Sequence, residues 1–557
     1  MPAIPKRNEA ATSSRVSSLP AHIDVRGGAL AKIKALTELS KTTPLQVITL
    51  SDSNGTPGTF TPDTWDRGNF ARILDRRLAW TRGNTTAVSE AVLGPQLQVI
   101  KFSTMGNSPV NSAVDTPWHP KSRKLIFEPR TILGPFGQSY KSLGGITAFD
   151  DPAKTNRQIG FLIDRTSSGD DWERNMDQVA VGYFGRGNSD QVIGITTNGA
   201  VKADGTNFAG TNYSGLYSTF TLSIHDVTGI DFSTIPTSGW DETNAACIAI
   251  KAACSAVGAT ATLTINPAFG AGAAMPGYLS NWLGGMTADK KWLIKLATPD
   301  ASTMGAWLEY LVLRNSSITG GAHVWDMAYS GNALNHCEWK RYNNDGSPDP
   351  TWSSEPGDFL TDTYVRSELC ARLLMRGENS YGSITNFSSK SAWSSATHNM
   401  PGLHVAIINL FVNDLNSSFA MPQVMFNHAY NLIQQVVRVN PGAVVIFNLP
   451  PCPGYAGGDN IRDNHFTGTG GARAKDSTFR DQIKSASASF PNNAVVIDYQ
   501  AKYGNIAPTV LKSRIGHFGT FKREASDPID IDHFKVSTWQ APSAQDISDL
   551  FSSWCYV

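Results

Sequence analysis

The stretch LQVITLSDSNG, residues 45–55, decides how the rest of the chain is read. Its first six residues form an almost unbroken apolar run, LQVITL, rather than an alternating one. Strands buried on both faces carry such runs, and burial on both faces is the mark of a parallel sheet covered by helices. The run passes straight into Ser51-Asp52-Ser53-Asn54-Gly55, a tight polar turn, and a helical pattern follows over RGNFARILDRRLA (67–79). Strand, turn and helix in that order is how α/β enzymes present reactive groups at a strand's C-terminal end. Upstream, ALAKIKALTELS (29–40) predicts a short helix that ends before Thr43-Pro44. The polar residues 1–20, with Pro, Ser, Lys and Arg, read as a leader, so 1–44 is expected to be an attachment segment with one short helix.

Downstream, the texture changes at about 95 and changes back at about 318. Between these points, runs such as LQVIKFS, QVAVGYFG, YSTFTLSIH, ATLTIN, KWLIKLA and AWLEYLVLR are separated by Gly, Asn, Asp and Pro clusters. Short strands at that spacing predict an all-β sandwich or jelly roll. Trp118, Trp172, Tyr183, Tyr213, Tyr217 and Trp240 fall in this region; they read as core and turn packing, or for one or two of them as a platform on which a sugar could stack. After 318 the α/β texture returns. AHVWDMAYSG (322–331), LHVAIINLFVND (403–414), GAVVIFNLPP (442–451) and NAVVIDY (493–499) predict strands. A helix with one apolar stripe is expected over 422–438, and APSAQDISDLFSSW (541–554) reads as a closing helix. The expected organisation is therefore a leader (1–44), an α/β domain in two parts (45–94 and 318–557), and an inserted β domain (95–317).

Four polar segments sit at strand ends or beside a helix, and their chemistry is complementary. Ser53 follows the first strand, and a serine there becomes a nucleophile if a base takes its proton. In Asp530-Ile531-Asp532-His533 an Asp three residues before a His can curl back to its Nδ1, fixing the tautomer and leaving Nε2 for the serine. Asp532 is the rival for that part, but an adjacent residue points poorly at its neighbour's ring. Gly331 can offer an unobstructed backbone N–H and Asn413 a side-chain amide. With the N–H of Ser53, these make three donors around a developing oxyanion. Singly, each has a plain structural reading: a surface turn for Asp-x-x-His, a turn glycine for Gly331, a helix cap for Asn413-Asp414.

In order along the chain, the set resembles the SGNH (GDSL-type) hydrolase family, whose blocks run Gly-Asp-Ser, a Gly, Gly-x-Asn-Asp and Asp-x-x-His. Here they read Ser51-Asp52-Ser53, Ser330-Gly331-Asn332, Phe411-Val412-Asn413-Asp414 and Asp530-Ile531-Asp532-His533. The resemblance covers roughly 45–90 and 318–557. It implies a three-layer α/β/α, flavodoxin-like parallel sheet, with Ser53 as nucleophile, His533 as base and Asp530 as its orienter. Ser53, Gly331 and Asn413 would line the oxyanion hole, and no cofactor or metal would be needed. Ser51 and Phe411 stand where the family has glycine; neither position supplies a catalytic atom, so the departures bear on loop geometry. A β module inserted between the first and second blocks is similar to carbohydrate esterases, including deacetylases of bacteriophage tails. That resemblance implies an acetylated polysaccharide as partner and a virion tail or other extracellular setting. A homotrimer, or virion attachment through the N-terminal segment, would go with it.

Composition narrows the field further. Lys plus Arg and Asp plus Glu both number 47, so the net charge is zero and no broad basic field attracts nucleic acid. Charged residues are only 17% of the 557, which suits a partner recognised by aromatic faces and hydroxyl hydrogen bonds. No stretch approaches the roughly 20 apolar residues that cross a bilayer, and the N-terminus lacks the apolar core of a secretory signal. Six cysteines (Cys247, Cys254, Cys337, Cys370, Cys452 and Cys555) form no CxxC pair and read as free thiols, with a Cys247–Cys254 disulfide as the alternative. HExxH and GxxxxGK[ST] are absent. Three functions remain in view: a polysaccharide O-deacetylase, a glycan-binding adhesin with a decayed triad, and a bacterial lipase or acyl-esterase.

Overall fold

The structure is a computed structural model. It describes residues 19–51, 157–169, 171–184, 220–236, 241–255, 258–265, 277–298, 307–328, 403–411, 422–450, 472–503 and 541–551, with short strands and single positions between 70 and 149 and at 334 and 414.

A six-stranded sheet forms from the two ends of the chain. Its order is Ile23–Val25, Ala494–Asp498, Val444–Leu449, Val405–Asn409, Leu45–Ser51 and Ala322–Ala328. All neighbours are parallel except Ile23–Val25, which pairs antiparallel with Ala494–Asp498 along one edge. The expected burial is found: every residue of Leu45–Ser51, Val405–Asn409, Val444–Leu449 and Ala494–Asp498 is buried. One face packs Val47, Val324, Val405, Ile407, Ile446 and Ile497 against helix Gly27–Leu39 and the closing helix Ala541–Leu550. Phe70, Ala71, Leu74 and Leu78, within the helical pattern read at 67–79, join that cluster. Helices Pro422–Val439 and Ala472–Ala488, outside that cluster, pack against each other and touch strands Val444–Leu449 and Ala494–Asp498. Residues 23–39, read from sequence as part of a leader, supply an edge strand and a core helix. Ala29, Ile33 and Leu36 form that helix's buried stripe, each such side chain contributing on the order of 1–3 kcal/mol.

The middle of the chain forms two antiparallel sheets. The first runs Ala259–Ile265, Phe220–Asp226, Lys291–Thr298, Arg157–Asp164, Lys124–Ile126 and Trp118–His119. The second contains Gly277–Leu279, Gln178–Phe184, Trp307–Arg314, Thr147–Phe149 and Ile132–Leu133; Leu97–Lys101 joins Trp307–Arg314, and Leu283–Gly284 joins Gln178–Phe184. One core cluster takes side chains from both: Phe161, Leu222 and Trp292 from the first, Val179, Val181 and Leu311 from the second. The other side of the first sheet carries helix Ala245–Ala253, whose N-terminus is capped by the Asn244 carboxamide oxygen accepting from the N–H groups of Ala246 and Cys247. Cys247 and Cys254 are free and buried beneath it; the other four cysteines lie outside the described residues.

The chain re-enters the parallel sheet through a turn closed by Gly321, whose φ of 84° suits a residue without Cβ. Its N–H donates to the carbonyl of Ser40 (2.7 Å), and its own carbonyl accepts from Leu45 N–H (2.9 Å). The exit from the β region is thus sewn to the start of the first central strand.

Candidate active site

Sheet order brings three strand ends to one edge. Leu45–Ser51 lies between Ala322–Ala328 and Val405–Asn409, and the register pairs Ser51 with Ala328 on one side and with Asn409 on the other. All three are the C-terminal residues of parallel strands, spaced about 4.8 Å apart. Ser53, Gly331 and Asn413, the oxyanion donors read from sequence, follow them in the chain by two, three and four residues. Ser53, Gly331, Asn413, Asp530 and His533 themselves lie outside the described residues, as do Asp532 and the side chains of Trp118, Trp172, Tyr183, Tyr213, Tyr217 and Trp240.

What the structure does describe around this edge is its support. Asp414, next in the chain to Asn413, is buried, and both of its carboxylate oxygens accept from the backbone N–H of Leu334 at 3.0 Å. Leu334 stands three residues after Gly331. The segments that carry the second and third blocks are thus tied by a charge-assisted bond away from water. In the sequence Asn413-Asp414 looks like a helix cap; nothing in a single chain tells that Asp414 instead braces a loop 80 residues away.

The same edge explains Phe411. Its side chain is fully buried, and the Arg480 guanidinium lies 4.6 Å from its ring centroid. Arg480 also donates to Asp498 Oδ1 (2.9 Å) and to the Pro450 carbonyl (2.6 Å), and Lys484 pairs with Asp498 Oδ2. Burial alone would raise the Asp498 carboxyl; Arg480 and Lys484 outweigh it and hold Asp498 below the usual carboxylate range. A large apolar ring where the family has glycine is therefore part of a packed, charge-neutralised support between strand ends. On the neighbouring strands, Asn448 Nδ2 donates to Asn409 Oδ1 (2.8 Å), both side chains being buried. Ser51, the other departure, is a buried strand-end residue.

At the far side of the molecule's C-terminal helix, Asp546 accepts from Tyr499 Oη and Lys502 Nζ and faces His22 Nε2 at 2.9 Å, so the N-terminal edge strand and the closing helix are pinned together. His533 precedes that helix by eight residues. Among the described residues no group of three or more His, Cys, Asp or Glu side chains could hold a metal ion, and no helix is long and apolar enough to cross a membrane.

No family model matches the sequence, and no curated protein matches it. Several solved structures align with it at low similarity. A peptidoglycan O-acetylesterase aligns over 95% of this chain and 97% of its own, at 12% identity and a TM-score of 0.43. A family 2 carbohydrate esterase with a carbohydrate-binding domain, from Corynascus thermopiles (Myceliophthora fergusii), aligns over 74% of this chain and 99% of its own, at 11% identity and 0.24. A family 2 carbohydrate esterase from Clostridium thermocellum, in complex with cellohexaose, aligns over 75% and 96%, at 11% and 0.22. At such identities and TM-scores these likenesses do not place the chain in a family. It is a mixed α/β protein whose parallel sheet is built from the two ends of the sequence.

Proposed function

We propose that the protein is an SGNH-type serine esterase that removes O-acetyl groups from a polysaccharide, a surface glycan of bacteria. The observation that supports this is the convergence of Ser51, Ala328 and Asn409 at one sheet edge, immediately upstream of Ser53, Gly331 and Asn413. In this reading Ser53 Oγ attacks the ester carbonyl carbon while His533, oriented by Asp530, takes its proton. The backbone N–H groups of Ser53 and Gly331 and the Asn413 side-chain amide hold the oxyanion of the tetrahedral intermediate. Collapse expels the sugar oxygen, which takes the proton from His533. Water, deprotonated by His533, then attacks the acyl-enzyme and releases acetate.

The hydrolase would span 45–94 and 318–557 together with the edge strand and helix of 23–39, with 95–317 as an inserted β sandwich. By resemblance to deacetylases with such an insertion, the setting we infer is a bacteriophage tail, joined to the virion through the N-terminal segment as a homotrimer. Released acetate from an acetylated surface glycan tests the reading directly. Wild-type protein should release acetate and Ser53→Ala should not; unchanged release by the variant would overturn the nucleophile. The rate should also fall as pH drops through the range where an ordinary histidine protonates. Glycan binding by a wild-type protein that releases no acetate would point to the adhesin, and preference for long acyl chains to a lipase.

A further inference from the structure

At the opposite edge of the sheet, where the chain re-enters it from the β region, the structure has a cavity of about 320 Å³. Its walls include Gln46, Trp282, Arg314, Asn315, His323 and Trp325. Volume alone puts it at the lower end of small-molecule sites, which run to about 300–1,000 Å³, so it suits one small unit and not a length of polymer. It lies at the N-terminal edge of strands whose C-terminal edge leads to Ser53, Gly331 and Asn413. The seven residues of Leu45–Ser51 separate the two edges by roughly 20 Å.

The hydrogen bonds around the cavity determine what it offers. Trp325 Nε1–H donates to Gln46 Oε1 at 2.8 Å, which orients the Gln46 amide. Its nitrogen then faces the Pro44 carbonyl (3.1 Å) and His323 Nδ1 (3.4 Å). An amide nitrogen is only a donor, so His323 Nδ1 is an acceptor and the ring's hydrogen sits on Nε2. His323 is 7% exposed, and its Nε2 has no hydrogen-bond partner among the described residues. Burial, aided by the nearby Arg314 charge, pushes its pKa down to about 4, so the ring is neutral near pH 7 and keeps that single N–H. That N–H has virtually no surface open to the cavity, so His323 serves as a neutral wall and leaves Arg314 as the charged group.

Arg314 completes the set. Its guanidinium lies over the Trp282 ring at 4.1 Å, and its Nε donates to Gln178 Oε1 at 2.8 Å. The plane of the fork is thereby fixed while its Nη groups make no hydrogen bond to a described residue. The carboxylate of Asp177, which adds to the field on Arg314, is itself engaged by the N–H and hydroxyl of Ser316. A fixed guanidinium fork matches a carboxylate, and the indole walls of Trp282 and Trp325 match the face of a compact ring.

We propose that this cavity binds a single carboxylated sugar unit, its carboxylate on Arg314 and its ring against the indole walls. That the ligand is a sugar rests on the esterase reading above; that it is a compact anion rests on the cavity. The site would hold acidic glycan apart from the reacting ester, as an anchor for the chain.

Calorimetric titration of the Ser53→Ala protein with glucuronate, glucose and lactate tests it. Glucuronate should bind at least about tenfold more tightly than either glucose, which lacks the carboxylate, or lactate, which lacks the ring. Arg314→Met should abolish that preference, with its thermal midpoint compared with that of the parent protein to verify folding. Equal binding of glucose and glucuronate, undetectable binding of glucuronate, or full binding by a folded Arg314→Met protein would each overturn the site. Failure of the esterase reading is separable: it would appear as no acetate release by the wild-type protein, whatever glucuronate does.

Discussion

The parallel sheet and the antiparallel β region each hold buried polar groups, in different settings. In the parallel sheet, Ser51, Asn409, Asn448 and Asp498 lie at or next to one set of strand ends and Gln46 and His323 at the other, with Thr49 and Asp326 within strands. In the β region one cluster lies in mid-strand. Ser223, His225 and Lys295 stand on neighbouring strands Phe220–Asp226 and Lys291–Thr298, all at most 9% exposed. His225 Nδ1 donates to the Ala253 carbonyl (3.0 Å), and Lys295 Nζ donates to the Cys254 carbonyl, so together they satisfy the C-terminus of helix Ala245–Ala253. Ser223 Oγ then donates to His225 Nε2 at 2.8 Å. By distance and tautomer this is the serine–histidine hydrogen bond of a hydrolase. It is sealed beneath a helix, and burial pushes the His225 pKa down to about 4, with Lys295 lowering it further. The comparison teaches that a serine–histidine bond alone is not a site: this one is closed to any substrate, whereas the proposed nucleophile follows a strand end.

The sharpest way to break this contrast is a pair of serine variants. Ser53→Ala should cut ester hydrolysis by about 10³-fold or more, while Ser223→Ala should leave the rate per folded molecule unchanged. Activity loss only in Ser223→Ala would reverse the assignment. Next in size is Arg480→Met, which strands the Asp498 carboxylate among buried groups. A loss of about 3–5 kcal/mol in denaturant unfolding is expected, and a loss below 1 would mean Lys484 neutralises Asp498 alone. Asp414→Ala should cost less stability, about 1–3 kcal/mol, yet lower the turnover rate, because it unties Leu334 from the strand end that carries Asn413. Stability loss without any loss of rate would confine Asp414 to scaffolding.

The last effect is a pH dependence, confined to the acid range. His225 and His323 both have folded-state pKa values near 4 against an ordinary 6.5. The unfolded chain thus binds more protons between those values, so their contribution is complete above pH 6.5 and is lost as pH falls toward 4. His225→Gln should flatten the unfolding free energy in that window, as read by denaturant titration at several pH values. An unchanged slope would show that His225 is already protonated in the folded protein.

Much of the fold was legible because burial writes itself into composition. The runs LQVITL, VAIIN, VVIFNL and AVVID could only be strands covered on both faces, while Ala259–Ile265 alternates between half-buried and exposed positions as an antiparallel strand does. What stayed hidden depends on register. Gln46 and His323 are partners on adjacent strands although 277 residues apart, and neither carries a motif. Phe411 looked like a defect in a glycine position until Arg480 was seen against it. Residues 23–39 looked like leader because a three-residue edge strand leaves little periodicity to read.

The strand order carries a consequence for synthesis. Leu45–Ser51 is an interior strand of its sheet, yet its two neighbours begin at Ala322 and Val405. On a ribosome adding about 5–20 residues per second, the first apolar strand waits roughly 15–50 s for a partner. The intervening β region has its own core and would be complete first. The edge strand Ile23–Val25 waits longer still, for Ala494–Asp498. An exposed LQVITL segment during that interval invites self-association, which would make yield sensitive to chaperones and to translation rate more than to the stability of the finished fold.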